Sequence, residues 1–184
     1  YDELKAKFVA RVQQLKPSDP QLSSTVIGPM IKEAEAKRLK GWIDAAVAGG
    51  AHLLCGGGLD GVMLEATVLE NVANDADIYV NEAFGPVVVL ESYQNFSQGI
   101  EKINQSRFGL QAGVYTQNLN KMLQAWDTLH VGGVVINDVP TVRVDKMPYG
   151  GVKDSGLGRE GIRSAILDMT EERVLVICGA NDHG

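Results

Sequence analysis

The stretch "LQAGVYTQNLNKMLQAWDTLHVGGVVIN", residues 110–137, decides the fold. Its first seven residues and its last five, Gly133–Asn137, are apolar and short, as in buried β-strands, and the residues between them repeat with helical periodicity. A strand, a helix and a second strand in this order predict a right-handed crossover between parallel strands.

The same alternation continues on both sides of this stretch. Helices are predicted from the first residue, from Pro29 to about Ala48, over residues 95–109 and over residues 159–169. Strands are predicted at residues 51–55, 62–72, 87–90 and 170–177. The buried face of the second helix is expected at Ile31, Ala34, Trp42, Ile43 and Ala46. The sequence therefore predicts an α/β fold with one open, mostly parallel, twisted sheet and helical crossovers.

Composition limits the classes of function. A chain of 184 residues suits one domain with a small appendage, and its net charge of −6 argues against nucleic acid as a partner. No apolar run approaches the roughly 20 residues that span a bilayer. Cys55 and Cys178 have neither metal-binding nor redox spacing, so we expect reduced thiols, no metal site and a cytoplasmic protein. Because the chain lacks an initiator Met and starts within a helical pattern, we also expect a piece of a longer protein.

The glycine-rich stretch "GLGREG", Gly156–Gly161, fits the spacing of a dinucleotide-binding fingerprint. A true fingerprint follows a strand directly and precedes an acidic residue about 20 positions later. Here the nearest predicted strand ends near Asn137, and the intervening residues contain two prolines and no strand pattern. We therefore interpret the glycines as turn residues before a helix that starts near Gly158, with Glu160 favourably placed at its positive end.

Four motifs in order resemble the aldehyde dehydrogenase superfamily. They are "NEAFGPV" at 81–87, "FGLQAGVYT" at 108–116, "VVINDVP" at 134–140 and "MPYGGVKDSGLGREG" at 147–161. The resemblance implies that residues 1–169 are the C-terminal part of a catalytic domain and that 170–184 form an oligomerisation strand and tail. It also implies an enzyme that uses NAD or NADP to oxidise an aldehyde to an acid through a cysteine thiohemiacetal.

The resemblance places the central reactive groups before this chain. The nucleotide domain, the nucleophilic cysteine and the general-base glutamate are expected upstream, so no catalytic residue is assigned here and the isolated chain is expected to be inactive. Cys55 lies in no matching motif and is not assigned as the nucleophile.

Three residues are assigned near the cofactor and the active-site loop by the same resemblance. Glu82 is expected to accept hydrogen bonds from the nicotinamide ribose; the alternative is a solvated surface acid. Phe84 is expected beside the nicotinamide; the alternative is ordinary core packing. Asn137, at the carboxyl end of a strand, is expected to hold the active-site loop; the alternative is a simple turn residue.

The last motif contributes the substrate-facing residues. Tyr149 is expected to line the substrate tunnel, and Gly150 and Gly151 belong to the loop that closes over the active site. Arg143 is expected at the tunnel mouth, where a guanidinium suits a carboxylate or phosphate. Its alternative is a surface ion pair with Asp145 or another acid. The motif most resembles branches that oxidise small hydroxylated or anionic aldehydes.

The predicted last strand, residues 170–177, is apolar on both faces and ends the chain. An apolar edge strand without proline or lysine favours pairing with another chain. The resemblance points the same way, and we expect a homodimer or homotetramer. The alternative function is a non-catalytic α/β module whose role is assembly.

Overall fold

The computed structural model describes residues 1–179. The chain divides into two compact units, Tyr1–Gln94 and the part that begins at Asn95. The first unit contains α1 (Asp2–Val12), α2 (Glu33–Ala48), β1 (His52–Cys55), β2 (Leu59–Asp60), β3 (Met63–Leu64), β4 (Thr67–Glu70), α3 (Asp77–Val80) and β5 (Val87–Leu90). The second contains α4 (Phe96–Gln105), β6 (Phe108–Gly109), β7 (Gln111–Val114), α5 (Leu119–Thr128), β8 (Gly133–Ile136), β9 (Val152–Lys153) and α6 (Ile162–Asp168).

A three-stranded sheet in the order β1-β4-β5 organises the first unit. Strand β4 runs parallel to β5, with Thr67 opposite Val87, and antiparallel to β1. Strand β5 was predicted with its observed bounds, because the apolar run that defines it is continuous. Helix α2 packs Leu39, Ile43 and Ala46 into the same core as Leu64 and Leu69.

The buried face of α2 differs from the predicted one. The helix begins at Glu33, so Pro29 is not its first residue and Ile31 lies outside the helix with 90% of its surface exposed. Ala34 is also exposed. The buried residues of the helix are Ala36, Leu39, Ile43 and Ala46. The positions 36, 39, 43 and 46 recur at spacings of three and four residues and form one stripe of the helix, which faces the core.

The second unit contains the crossover predicted from residues 110–137. Strands β7 and β8 are parallel, with Gln111 opposite Gly133, and α5 connects them. The Asn118 side chain caps α5 by accepting a hydrogen bond from the Lys121 amide. The buried core comes from α4, β7 and α5 with its C-cap, and the half-buried Val134 and Ile136 of β8 pack against it; the buried residues are Ile100, Ala112, Val114, Ala125 and Leu129.

The prediction of one mostly parallel sheet is wrong for the described residues. They form four small sheets, and three of the five strand pairings are antiparallel. The antiparallel pairs involve two-residue strands or the short hairpin-like return from β1 to β4, which single-sequence periodicity does not resolve. The α/β class holds, since each parallel pair is joined through a helix.

The predicted strand at 170–177 is not a strand within the described part of the chain. These residues pair with no described strand, and Val174, Leu175, Val176 and Ile177 are each at least 74% exposed. A strand needs a hydrogen-bonded neighbour, which the folded part of this chain does not offer to this segment. Residues 180–184 of the predicted tail lie outside the described residues.

Within residues 1–179, every helix is too short or too polar to traverse a lipid bilayer.

Candidate functional site

The turn between α3 and β5 carries Glu82 and Phe84. Both side chains are exposed, Phe84 to 79%. The neighbouring Asn81 and Ala83 are half-buried. Phe84 therefore does not pack in the core formed by the described residues. Glu82 remains compatible with both a ligand-facing carboxylate and a solvated acid.

The backbone of this turn is strained and held at both ends. Phe84 has φ of 50°, a left-handed conformation that is costly for a bulky residue. At one end the Asn81 side-chain Nδ2 donates to Asp77 Oδ1 over 2.9 Å. At the other end the backbone N–H of Thr67 donates to the Pro86 carbonyl over 2.8 Å. Strain of this kind persists where the surroundings fix the backbone, and it is frequent at binding sites.

Arg38 of α2 contacts the middle of the turn. Its Nη2 donates to the Ala83 carbonyl over 3.1 Å, and its Nε donates to Glu35 Oε2 over 2.7 Å. Its guanidinium also stacks on Trp42, 4.1 Å from the ring centroid. Sequence reasoning missed this residue. The Glu-x-x-Arg-x-x-x-Trp spacing indicates that these three side chains share one helix face. It does not indicate the contact from Arg38 to a turn 45 residues away in the chain.

A cavity of about 620 Å³ borders the turn. Its walls are the Phe84–Pro86 part of the turn, residues 26–32 before α2, and the side chains of Glu35 and Arg38. The lining combines exposed apolar groups with both signs of charge, which suits an amphipathic ligand.

Asn137 lies at the carboxyl end of β8 with φ of 59°. Its Oδ1 accepts a hydrogen bond from the Thr116 amide over 2.8 Å, and its own amide donates to the Val114 carbonyl over 2.9 Å. It therefore holds together the ends of β7 and β8 where the long loop departs. The structure gives it both a turn conformation and a scaffold contact.

Arg143 and Tyr149 lie together in the second unit. The Arg143 guanidinium is 4.9 Å from the centroid of the Tyr149 ring, and its Nη2 donates to Glu160 Oε2 over 3.0 Å. Its ion-pair partner is thus Glu160 and not Asp145. Tyr149 and Glu160 also exchange two backbone hydrogen bonds. Glu160 does not lie in the first turn of a helix as predicted, because α6 begins at Ile162 after Gly161.

Gly150 and Gly151 lie where a side chain has no room. A Cβ on Gly151 would be 2.5 Å from Ser155 Cβ, and one on Gly150 would be 2.6 Å from the Gly158 carbonyl oxygen. Arg159 Nη1 donates to the Gly151 carbonyl over 3.0 Å and closes this loop on itself. The two glycines thus permit a tight loop beside Tyr149.

The "GLGREG" stretch does not have the context of a nucleotide-binding fingerprint. Strand β9, which the sequence analysis missed, ends only three residues before Gly156, but it pairs antiparallel to β6. The helix that follows, α6, has seven residues and starts after the stretch. Gly156, Gly158 and Gly161 have φ of 121°, 72° and 112°, so they are needed for turn geometry.

Cys55 has the environment of a structural thiol. It is half-buried in β1, and burial raises the pKa of its thiol. A thiol that stays protonated is a poor nucleophile. Among the described residues, no group of three or more His, Cys, Asp or Glu side chains could hold a metal ion.

Comparison with known proteins identifies the family. The model of the aldehyde dehydrogenase family matches residues 1–175, so the chain belongs to this family.

Individual relatives and solved structures are similar to nearly the whole of this chain. The chain is 42% identical over 171 residues to 3-sulfolactaldehyde dehydrogenase from Priestia aryabhattai, covering 93% of this chain and 36% of that protein. It superposes on aldehyde dehydrogenase 21 from Physcomitrella patens, crystallised with the reaction product succinate, with a TM-score of 0.95 and 45% identity over 99% of this chain and 38% of the other. Glyceraldehyde-3-phosphate dehydrogenase from Methanocaldococcus jannaschii, complexed with NADP, gives a TM-score of 0.85 and 35% identity over 91% of this chain and 36% of the other.

The chain thus spans little more than a third of the length of the proteins that it matches.

Proposed function

We propose that this chain supplies part of the catalytic domain of an NAD(P)-dependent aldehyde dehydrogenase, which oxidises an aldehyde to a carboxylic acid through a thiohemiacetal on cysteine. The observation that carries the proposal is the turn at 81–86, which leaves Glu82 and Phe84 exposed, with Phe84 lining the 620 Å³ cavity. Membership of the family supports the reaction class.

The residues of the turn fit a nicotinamide cofactor. The cofactor supplies the hydride acceptor when it is bound. The Glu82 carboxylate is an acceptor for two adjacent ribose hydroxyls, and the exposed Phe84 ring offers an apolar face to the nicotinamide. The cavity volume lies within the range of roughly 300–1,000 Å³ that is usual for small-molecule sites.

We also propose a small aldehyde that carries an anionic group as the substrate. Arg143 holds Glu160 in an exposed ion pair, and such pairs contribute only about 0–1 kcal/mol, so a substrate anion can replace the carboxylate at small cost. The names of the relatives support this class, since sulfolactaldehyde carries a sulfonate and succinate carries carboxylates. Tyr149, stacked beside Arg143, would line the tunnel, with Gly150 and Gly151 in the loop that closes over it.

The nucleophile and the general base are proposed to belong to a part of the enzyme outside this chain. The raised pKa of Cys55 makes this residue unsuitable. The isolated chain, incubated with NAD or NADP and a panel of aldehydes, should therefore produce no reduced cofactor. Turnover that disappears in Cys55→Ser would overturn this assignment.

The exposed apolar segment at 174–177 is proposed to join a partner subunit in a homodimer or homotetramer. Four consecutive apolar residues, each mostly exposed, form a continuous surface that another chain can cover. If the chain acted only in assembly, this segment would be its working part and Glu82 would be dispensable.

Glu82→Gln in the enzyme that carries this chain tests the proposed function. Losing a charge-assisted hydrogen bond costs roughly 1.5–3 kcal/mol, so hydride transfer in single-turnover experiments should slow by about one to two decades. Aldehyde binding should change much less. Glu3→Gln is the matched control, because Glu3 is an exposed acid of α1 whose ion-pair partner within residues 1–179 is Lys7. If cofactor affinity and hydride transfer are both unchanged in Glu82→Gln, Glu82 is a surface acid and the proposal fails.

A further inference from the structure

Arg38 lies outside all four sequence motifs, yet it makes the central side-chain contact to the turn at 81–86. Its Nη2 donates to the carbonyl of Ala83, the residue between Glu82 and Phe84. The peptide group that joins Ala83 to Phe84 is one rigid plane. The orientation of the Ala83 carbonyl therefore fixes ψ of Ala83 and contributes to φ of Phe84, the strained torsion of the turn.

The guanidinium of Arg38 is itself fixed in three ways. Glu35 receives its Nε–H at 2.7 Å, the Trp42 ring covers its face at 4.1 Å, and its Nη2 is directed at Ala83. Glu35, Arg38 and Trp42 recur at spacings of three and four along α2, so they share one helix face. A planar fork that is already held by an acid and a ring presents its Nη2 group in a fixed direction.

Helix α2 provides a rigid base for this contact. Leu39, the next residue, is fully buried, and its Cδ2 would lie 2.3 Å from a Cβ placed on Gly85. The turn is thus packed against α2 at Gly85 and hydrogen-bonded to α2 at Ala83. Two adjacent residues of one helix, Arg38 and Leu39, therefore hold the turn against α2.

We infer that Arg38 is a positioning residue, which sets the direction of Glu82 and Phe84 through the Ala83 carbonyl. The inference rests on the proposed cofactor role of these two residues. Arg38 acts by holding the strained peptide plane in the orientation that a ligand meets, and Trp42 and Glu35 keep its guanidinium from rotating away.

The test combines Arg38 and Glu82 in a double-mutant cycle in the enzyme that carries this chain. Arg38→Met should slow single-turnover hydride transfer about tenfold, the effect of one hydrogen bond to a charged donor, and leave the KM for the aldehyde unchanged. Arg38→Lys keeps the charge without the fork and should recover part of the rate. Because both residues act through one turn, Arg38→Met should add little to the loss already caused by Glu82→Gln.

Hydrogen exchange of residues 81–88 in this chain gives a second measurement that does not depend on activity. Arg38→Met should speed exchange there, and Lys37→Met should not. Lys37 is the matched control, since it lies on the same helix and its ion-pair partner in the described part of the chain is Glu33.

The outcomes separate the two proposals. If Glu82→Gln slows hydride transfer but the Arg38→Met loss is fully additive, the positioning role is wrong and the proposed function stands. Unchanged exchange at 81–88 in Arg38→Met also overturns the positioning role. If Glu82→Gln changes neither cofactor affinity nor hydride transfer, the cofactor role of Glu82 is wrong, and the functional part of this inference is wrong with it.

Discussion

Gly132→Ala tests the packing that holds the loop containing Gly150 and Gly151. A Cβ at Gly132 would lie 1.6 Å from the carbonyl oxygen of Gly150 and 2.7 Å from its carbonyl carbon. Carbon and carbonyl oxygen normally approach no closer than about 3.3 Å, so the loop must move by roughly 1.5 Å or more. Both neighbours are backbone, which cannot move aside as a flexible side chain does.

The expected loss of stability is large. Overpacking a tight site costs about 1–3 kcal/mol and occasionally more, and the extent of this overlap points to about 3 kcal/mol or above. For a chain of 184 residues each kcal/mol shifts the melting temperature by about 2–4 °C, so a fall of roughly 6–12 °C is expected.

Urea and thermal unfolding followed by tryptophan fluorescence measure this loss. The chain has two tryptophans, Trp42 in the first unit and Trp126 in the second. In a Trp42→Phe background, the signal of Trp126 reports on the unit that contains Gly132. Gly41→Ala is the control, measured with Trp42 as the reporter in a Trp126→Phe background because both residues lie in the first unit. A Cβ on Gly41 in α2 would meet nothing within 4 Å, so this substitution should stabilise by about 0.5–1 kcal/mol. A Gly132→Ala protein as stable as the parent would refute the packing argument.

Three further predictions concern other regions. Arg143→Met should raise the KM for an aldehyde carrying a carboxylate or sulfonate by about tenfold or more and leave an uncharged aldehyde unaffected; equal effects on both, in steady-state kinetics, would contradict anion recognition. Glu70 accepts hydrogen bonds from Tyr1 and Lys5, which hold the pKa of its carboxyl below the usual range. Because the pKa of Glu70 is lower in the folded state, the unfolded state binds more protons at acid pH. The stabilisation from the Glu70 carboxylate is complete above about pH 4.3, the ordinary pKa of a glutamate, and is lost as the pH falls below that value. Glu70→Gln should therefore flatten the acid side of a plot of urea midpoint against pH. Deleting residues 172–184 from the enzyme should reduce the number of subunits per oligomer, measured as mass by light scattering. An unchanged number of subunits would show that this segment is not the contact between subunits.

Regular elements were predictable where one periodic signal dominated. Strand β5 is marked by a continuous apolar run, and α5 by a helical periodicity between two short strand-like segments. In both cases burial on one or both sides of the element determines the pattern. The phase of α2 was not predictable, since Ile31 resembles a core residue by type and only the start at Glu33 excludes it. Strand β9 has two residues, too few for a periodicity to show.

The sequence motifs mark candidate residues of the site, but they do not reveal the contacts that support those residues. The motif at 81–87 marks Glu82 and Phe84, but the exposure of Phe84 depends on a backbone torsion that no residue type reveals. The partner of Arg143 was expected among several acids, and the structure selects Glu160 because the Tyr149–Glu160 bridge brings the two segments together. The contact from Arg38 to Ala83 joins residues far apart in the chain, and sequence spacing contains no signal for it.

The Asn137 side chain extends the β7–β8 ladder by one rung. In a parallel ladder, the residue that donates its N–H to the carbonyl of Val114 accepts the N–H of Thr116 on its own carbonyl. At Asn137 the backbone has already turned away at φ of 59°, and Oδ1 accepts that bond instead. The two strands therefore remain joined at a point where one main chain has left the sheet. At position 137, glycine would keep the turn conformation but lose this side-chain hydrogen bond. Alanine would lose the hydrogen bond and also disfavour the positive φ of the turn. The Asn137 side chain thus helps to fix the direction in which the loop towards Arg143 and Tyr149 departs.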